Sequence, residues 1–357
     1  MRYLGIDVHV RASVWCLLDA SGARVERGKV PTTQGALTAL VQRLSAEEEL
    51  LAGQEVGKLC HFVHDTVTAA GVRILTFNAH HLRMIASSRK KTDQRDAFWI
   101  AKALQTGMMP HPVYIPTGEV RELRALLSRR SALVEEHTRW LSRVRCRLQA
   151  AGYQTPSRCR SVPRMVQAIM AQPDGIEQEL GEALDLCSRM AENAKLELKC
   201  LDAQLHERAK RIEAIERLKT IPAVNERVAV EIYATVGDAK RFRNASLLAS
   251  YAGLVPSVDQ SGASRSHGGI TKEGSQSLRR MLVQAGHVLL WRCDSEEAAP
   301  LRAIAMRIHT ARARRKIAVV AAARHILRLA YYVLRDGTQY NPKLLHSASC
   351  QPATQAA

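Results

Sequence analysis

The sequence predicts an α/β domain over residues 1–110, a linker with coiled-coil helices over 111–217, an α-helical domain over 218–340, and a mobile tail over 341–357. Three observations carry this. In the first part, short apolar runs alternate with helix-period segments, the pattern of a parallel crossover. Apolar residues then recur every seven positions. Past Leu218 the chain turns to shorter helical segments with turn residues between them.

Residues 3–6, 14–18 and 25–30 read as strands, with Asp19-Ala-Ser-Gly22 as a hairpin-type turn. Residues 36–44 have helical spacing. Two further strands, 50–56 and 72–77, flank a helix over 59–70, which predicts a sheet covered by helices. Pro110, Pro112, Pro116 and Gly118 mark a linker. A long helix from Glu119 carries Val120, Leu127, Val134, Leu141 and Leu148 at heptad spacing, and a second spans roughly 176–217. The break at 152–163 predicts an antiparallel hairpin. Helical segments at 228–236, 245–252, 275–291 and about 301–334 follow.

The 52 Lys and Arg against 34 Asp and Glu give a net charge of +18, which fits a polyanionic partner. The basic residues are spread along the chain, and no apolar run reaches about 18 residues, so no membrane-spanning helix is expected. The N-terminus lacks a signal-peptide pattern. Eight scattered cysteines without a Cys-x-x-Cys pair read as reduced thiols of a cytoplasmic protein. The sequence contains no P-loop, dinucleotide fingerprint, zinc spacing or Gly-x-Ser-x-Gly elbow.

Four carboxylates are placed suggestively. Asp7 ends the first strand in Gly-Ile-Asp-Val-His, and Glu55 ends a later one in Ala-Gly-Gln-Glu-Val-Gly. Asp93 and Asp96 open a helix in Lys-Lys-Thr-Asp-Gln-Arg-Asp-Ala, with Thr92 or Asp93 as N-cap and both acids on one face. Acids at strand ends face the crevice where open α/β sheets bind ligands. Converging carboxylates need cations, and hard oxygen ligands favour Mg²⁺ or Mn²⁺. The same positions also fit a turn residue, a solvated strand end and a capped first turn. Lys90, Lys91 and Arg95 beside them suit a phosphate backbone.

Residues 218–229 resemble a helix-hairpin-helix, with Ala223 and Asn225 where glycines are usual; Asn tolerates the left-handed conformation best of the two. The run Gln260-Ser261-Gly262-Ala263-Ser264-Arg265 reads as a loop between apolar helical segments. It fits either a plain surface turn or an exposed nucleophile at Ser261. Arg265, Lys272, Arg279, Arg280, Arg314 and Arg315 are candidate nucleic-acid contacts, and a solvated basic face is the alternative.

These blocks occur in the order of a known family. Tyr-Leu-Gly-Ile-Asp7, the Glu55 strand end, Lys-Thr-Asp93-Gln-Arg-Asp96-Ala, Tyr-Ala-Gly-Leu-Val-Pro256, Gln-Ser261-Gly and Ile-Thr-Lys-Glu-Gly-Ser-Gln-Ser-Leu-Arg279-Arg280 resemble the DEDD-plus-serine transposases of bacterial insertion sequences. This is the IS110 family of RNA-guided bridge recombinases, and the Glu55 and Asp93 segments are closest to its IS1111 subgroup. The resemblance covers residues 3 to about 337. Two segments depart from the family pattern. The usual acid-Ala-Thr-Gly is Glu-Val-Gly-Lys here, and the hairpin glycines are missing.

The resemblance implies a RuvC-like, ribonuclease-H-like first domain whose Asp7, Glu55, Asp93 and Asp96 bind Mg²⁺. It implies an α-helical transposase domain in which Ser261 forms a covalent 5′-phosphoserine with DNA. It further implies donor and target DNA and a structured non-coding bridge RNA as partners, with base pairing choosing the sequence. It implies dimers assembling to a tetramer, an active site joining domains of two protomers, and a bacterial, nucleoid-associated protein. Two other readings fit the residues: a RuvC-like hydrolytic nuclease on branched DNA, and a non-catalytic RNA- or DNA-binding protein.

Overall fold

The computed structural model describes residues 1–78, 92–108, 111–153, 166, 177–261, 264–312 and 314–342, with the backbone alone at 258–261, 264–267 and 312. The chain forms two compact units, Met1–Pro116 and Thr117–Ala357.

The first unit is a five-stranded mixed sheet of β1 (Arg2–Asp7), β2 (Ala12–Leu18), β3 (Arg24–Pro31), β4 (Leu50–Glu55) and β5 (Arg73–Phe77). The order is β3-β2-β1-β4-β5. β1 runs antiparallel to β2 and parallel to β4, and β4 runs parallel to β5. Helices α1 (Gln34–Ser45) and α2 (Cys60–Ala69) supply the crossovers. Strand alternation sorts the two faces. Leu4 and Ile6 of β1 pack with Leu37, Val41, Val63 and Val67 under α1 and α2. Tyr3 and Gly5 face the other way, toward α3 (Asp93–Thr106), whose Ala97 and Ala101 are fully buried. Asp7 continues that second face.

The second unit is helical, with one short hairpin. Helices α4 (Gly118–Ala150) and α5 (Gln178–Ala209) pack antiparallel. Val144 and Leu148 meet Leu184 and Cys187 at one end, Arg130 Nε bonds Asp202 Oδ1 at 2.6 Å, and Arg208 pairs with Glu122 at the other end. The second long helix was expected to run to about residue 217. It stops at Ala209, and α6 (Glu213–Lys219) begins afresh. Ile212 takes an extended conformation there, which drops its side chain into the core with Ile215 and Leu218. Helices α7 (Glu226–Val236) and α8 (Ala245–Tyr251) follow.

Residues 260–265 were expected as a loop; of these, Gln260 pairs with Arg265 and Ser261 with Ser264 as strands instead, and 262–263 lie outside the described residues. β6 (Pro256–Ser261) and β7 (Ser264–Ile270) form an antiparallel hairpin. Its strands are almost wholly polar, so no apolar alternation marked them. The expected helical region near 301–334 is two helices after α9 (Gln276–Trp291): α10 (Ala299–Arg312) and α11 (Arg315–Asp336), divided at Arg314, which is extended. α11 is long and apolar enough, by length and composition alone, to cross a membrane, although arginines interrupt it. Its Ala318, Ala322, Ile326, Ala330 and Val333 stripe is buried in the helical core, as an amphipathic core helix requires. Among the described residues six cysteines are free thiols, with Cys16, Cys60 and Cys187 buried. The tail beyond residue 342 lies outside the described residues.

Candidate functional site

The acidic site is assembled by two glycines. Gly5 of β1 and Gly53 of β4 face each other in register. A Cβ on Gly5 would lie 2.0 Å from the Ala97 carbonyl oxygen, and one on Gly53 would lie 2.8 Å from Leu104 Cδ1. Their bare surface lets α3 lie directly on the sheet. Along α3, Asp93 and Asp96 continue the stripe of Ala97, Ile100, Ala101 and Leu104. The stripe that docks the helix thus carries the two acids to the end of β1. Thr92 is the N-cap residue by its extended backbone.

Asp7, Asp93 and His9 each offer a ligand atom, and these lie within 4.8 Å of one another. His9 Nε2 is 3.1 Å from Asp7 Oδ2 and 3.5 Å from Asp93 Oδ2. Burial pushes the Asp7 carboxyl above its ordinary value; His9 pulls it back, and Asp96 and Asp93 push it up again. Glu55 is not in the close group, but Ile6 pairs with Gln54, so Asp7 and Glu55 end neighbouring parallel strands on the α3 face. Half-buried Asp7 among other acids is a poor place for unbalanced charge and a good one for a hard divalent cation. The donor set of oxygens with one imidazole accepts Mg²⁺ or Mn²⁺, the nitrogen favouring Mn²⁺. His9 was not singled out in the sequence, although it stands two residues after Asp7. Its backbone oxygen accepts from Thr32 Oγ1 at 2.8 Å, which ties it to the end of β3.

Ser261 ends β6 and pairs with Ser264 across the hairpin. The base of that hairpin is closely held. Gly253 and Gly274 take left-handed conformations, and a Cβ on either would meet backbone oxygen of Glu273 or Tyr251 near 2 Å (2.1 and 1.9 Å). Thr271 N donates to Val255 O at 2.9 Å. Arg279 Nη1 donates to Ala252 O at 3.1 Å and Glu273 O at 2.6 Å, clamping the segments before and after the hairpin. Ser275 Oγ caps α9 through Leu278 N.

The other basic candidates divide. Arg95, Lys272, Arg280, Arg314 and Arg315 are exposed. Lys90 and Lys91 lie outside the described residues, as does the side chain of Arg265. In the hairpin-like turn before α7, the left-handed residue is Ala223, at φ 65°, rather than Asn225. Asn225 is extended and caps α7, its Oδ1 accepting from Val228 N at 3.0 Å. That cap takes one of the amides a phosphate would use.

Residues 4–152 match the model of DEDD transposases of the IS110 type, and residues 215–302 match that of the transposase IS116/IS110/IS902 family. The chain is 28% identical over 307 residues to the transposase for insertion sequence element IS1111A of Coxiella burnetii, covering 81% of this chain and 78% of the relative. It is 24% identical over 306 residues to the transposase for insertion sequence element IS1328 of Yersinia enterocolitica, covering 85% and 89%. It is also 23% identical over 258 residues to a pilin gene-inverting protein of Moraxella bovis, covering 72% and 70%.

Proposed function

Since the chain belongs to the IS110 family of insertion-sequence transposases, we propose that it cleaves, exchanges and rejoins donor and target DNA through a covalent 5′-phosphoserine at Ser261, guided by a structured non-coding RNA and dependent on Mg²⁺. The observation that carries this reading is the convergence of Asp7, Asp93 and His9 at the end of parallel strand β1. A relative named for pilin gene inversion supports strand exchange over simple cutting. Asp7, Glu55, Asp93 and Asp96 would hold the cation, with His9 beside them. When bound, it would activate the attacking oxygen and stabilise charge on the phosphorane.

A serine hydroxyl is a weak nucleophile at its own pKa, so the acidic site and Ser261 need each other chemically. Ser261 Oγ bonds to phosphorus and loses its proton, and the 3′-hydroxyl leaves. A new 3′-hydroxyl then attacks the phosphoserine and Oγ leaves, so the bond energy is kept without ATP. Arg279 holds the hairpin that carries Ser261, and Arg95, Lys272, Arg280 and the Arg314–Arg315 pair suit the sugar-phosphate backbone. Lys90, Lys91 and Arg265 belong to the same proposal. Assembly as a dimer of dimers follows the family resemblance.

The test incubates protein, Mg²⁺, the element's RNA and labelled donor and target DNA, then denatures. Label held on protein, and lost in Ser261→Ala, is the expected result. Free nicked product that survives Ser261→Ala would assign hydrolysis. No cleavage by assembled wild type under any metal and RNA condition would leave a binding protein.

A further inference from the structure

We propose that Trp291, His309 and Arg315 form a stacking site for an unpaired nucleobase. The proposal rests on the reading that this chain handles nucleic acid. Trp291 is the last residue of α9 and is 38% exposed. The buried stripe of α9 is Leu278, Leu282, Ala285 and Leu289, and Trp291 falls off it, as does the exposed Val288 one turn before. The helical core therefore does not need this indole. Arg315, the first residue of α11, sets its guanidinium carbon 4.6 Å from the indole centroid. The His309 ring from α10 stands 5.5 Å away at 79°, edge to face.

Arg315 is exposed and has no ion-pair partner among the described residues, so its charge is uncommitted. The surrounding sequence explains why. From Ala298 to Arg335 there is no carboxylate at all, against eight arginines and one lysine. Such a stretch repels a basic protein surface and attracts a polyanion. Phosphates alone would use the arginines and leave the indole idle. Bases inside a duplex are already stacked and cannot reach an indole. Bases in a single strand, loop or bulge can stack on an indole or on an Arg plane, and every base has a π-face. The ligand class is thus an unpaired nucleotide, RNA or DNA, seated on a cation–π pair.

The experiment measures binding of full-length protein to short labelled oligothymidylate, oligouridylate and a blunt DNA duplex across a salt series. Trp291→Ala is expected to weaken one or both single strands about 5- to 150-fold, the loss of one stacked base. Duplex affinity should hold within about twofold, and the salt slope should not change, since no phosphate contact is removed. Trp291→Phe should retain most of the binding. Which of the two strands loses more identifies the nucleic acid. Equal loss on strand and duplex, or no loss on any, overturns the proposal. Unchanged binding with a lost self-association would assign the patch to a second copy and also overturn it. Wild type that binds neither strand nor duplex would sink the nucleic-acid reading itself, whereas wild type that binds both with Trp291→Ala unaffected sinks the stacking site alone.

Discussion

Gly5 and Gly53 face each other across the β1–β4 register, and α3 rests on both. Their neighbours differ in kind. Gly5 looks at the Ala97 carbonyl and Ala101 amide, which cannot move without the helix; Gly53 looks only at side-chain carbons of Leu104 and Ile100, the nearest the terminal Cδ1 of Leu104. Gly5→Ala should therefore lift α3 and cost about 1–3 kcal/mol, the range of overpacked cores. The lift would carry Asp93 off Asp7 and reduce strand transfer on the order of 100-fold, the scale of a 1 Å misplacement. Gly53→Ala should cost under about 1.5 kcal/mol and spare most activity. Urea unfolding and a strand-transfer assay check the pair; equal effects would show that the glycines do not set the helix position.

The metal-site proposal predicts a cation-dependent stability. MgCl₂ or MnCl₂ should raise the wild-type Tm, by the equivalent of about 2.7 kcal/mol at a hundredfold excess over Kd. Asp7→Asn should abolish that rise. It should also make the metal-free protein more stable than wild type at neutral pH. Burial sets the folded Asp7 pKa above its unfolded value, so its stabilising contribution is full below the unfolded pKa and is lost as pH rises through the folded one. Asn has no such loss. Thermal shift with and without EDTA at pH 5 and 7.5 measures both effects, and a cation-induced rise that persists in Asp7→Asn would place the cation elsewhere.

The placement of the acids at element ends was legible in the sequence. Asp7 and Glu55 ended strands, and Asp93 and Asp96 stood three apart at a helix start. His9 was not legible, because its approach to Asp93 depends on α3 lying on Gly5, a contact between segments some 90 residues apart in number. The Ser261 hairpin was hidden for another reason. Polar strands held by backbone pairing show no apolar alternation, so turn chemistry alone remained visible. At Ala223 propensity misled: tertiary packing put the left-handed conformation on Ala and gave Asn225 the cap.

Arg279 separates a clamp from a phosphate contact. One nitrogen serves two backbone carbonyls on either side of the Ser261 hairpin. Arg279→Ala removes that donor, so it should destabilise by about 1–3 kcal/mol, the cost of a charged hydrogen bond lost to a part-buried acceptor. DNA affinity should keep its salt slope. A slope reduced by about one, with Tm intact, would instead put Arg279 on DNA.

Glu231 gives the second unit its own pH dependence. It lies on α7, 6% exposed, and lines two cavities of about 370 and 230 Å³ beside α4 and α9. Burial pushes its carboxyl up; a hydrogen bond with Ser277 and the charges of Arg280 and Arg130 pull it down, and burial wins. The folded pKa is therefore above the unfolded one. The stability Glu231 adds is complete below the ordinary glutamate range and fades as pH rises through the folded value. Glu231→Gln keeps the shape and an acceptor for Ser277 while deleting the charge. In urea titrations from pH 4.5 to 8 it should match or exceed wild type at neutral pH and show a flatter profile. Arg280→Ala removes the leading charge that favours ionised Glu231, so it should raise that pKa further and steepen the decline. These two variants move the profile in opposite directions from opposite ends of one interaction. A Glu231→Gln protein less stable than wild type at pH 7 by more than about 1 kcal/mol would mean that the charges of Arg280 and Arg130 outweigh the burial of ionised Glu231, the reverse of the balance stated above.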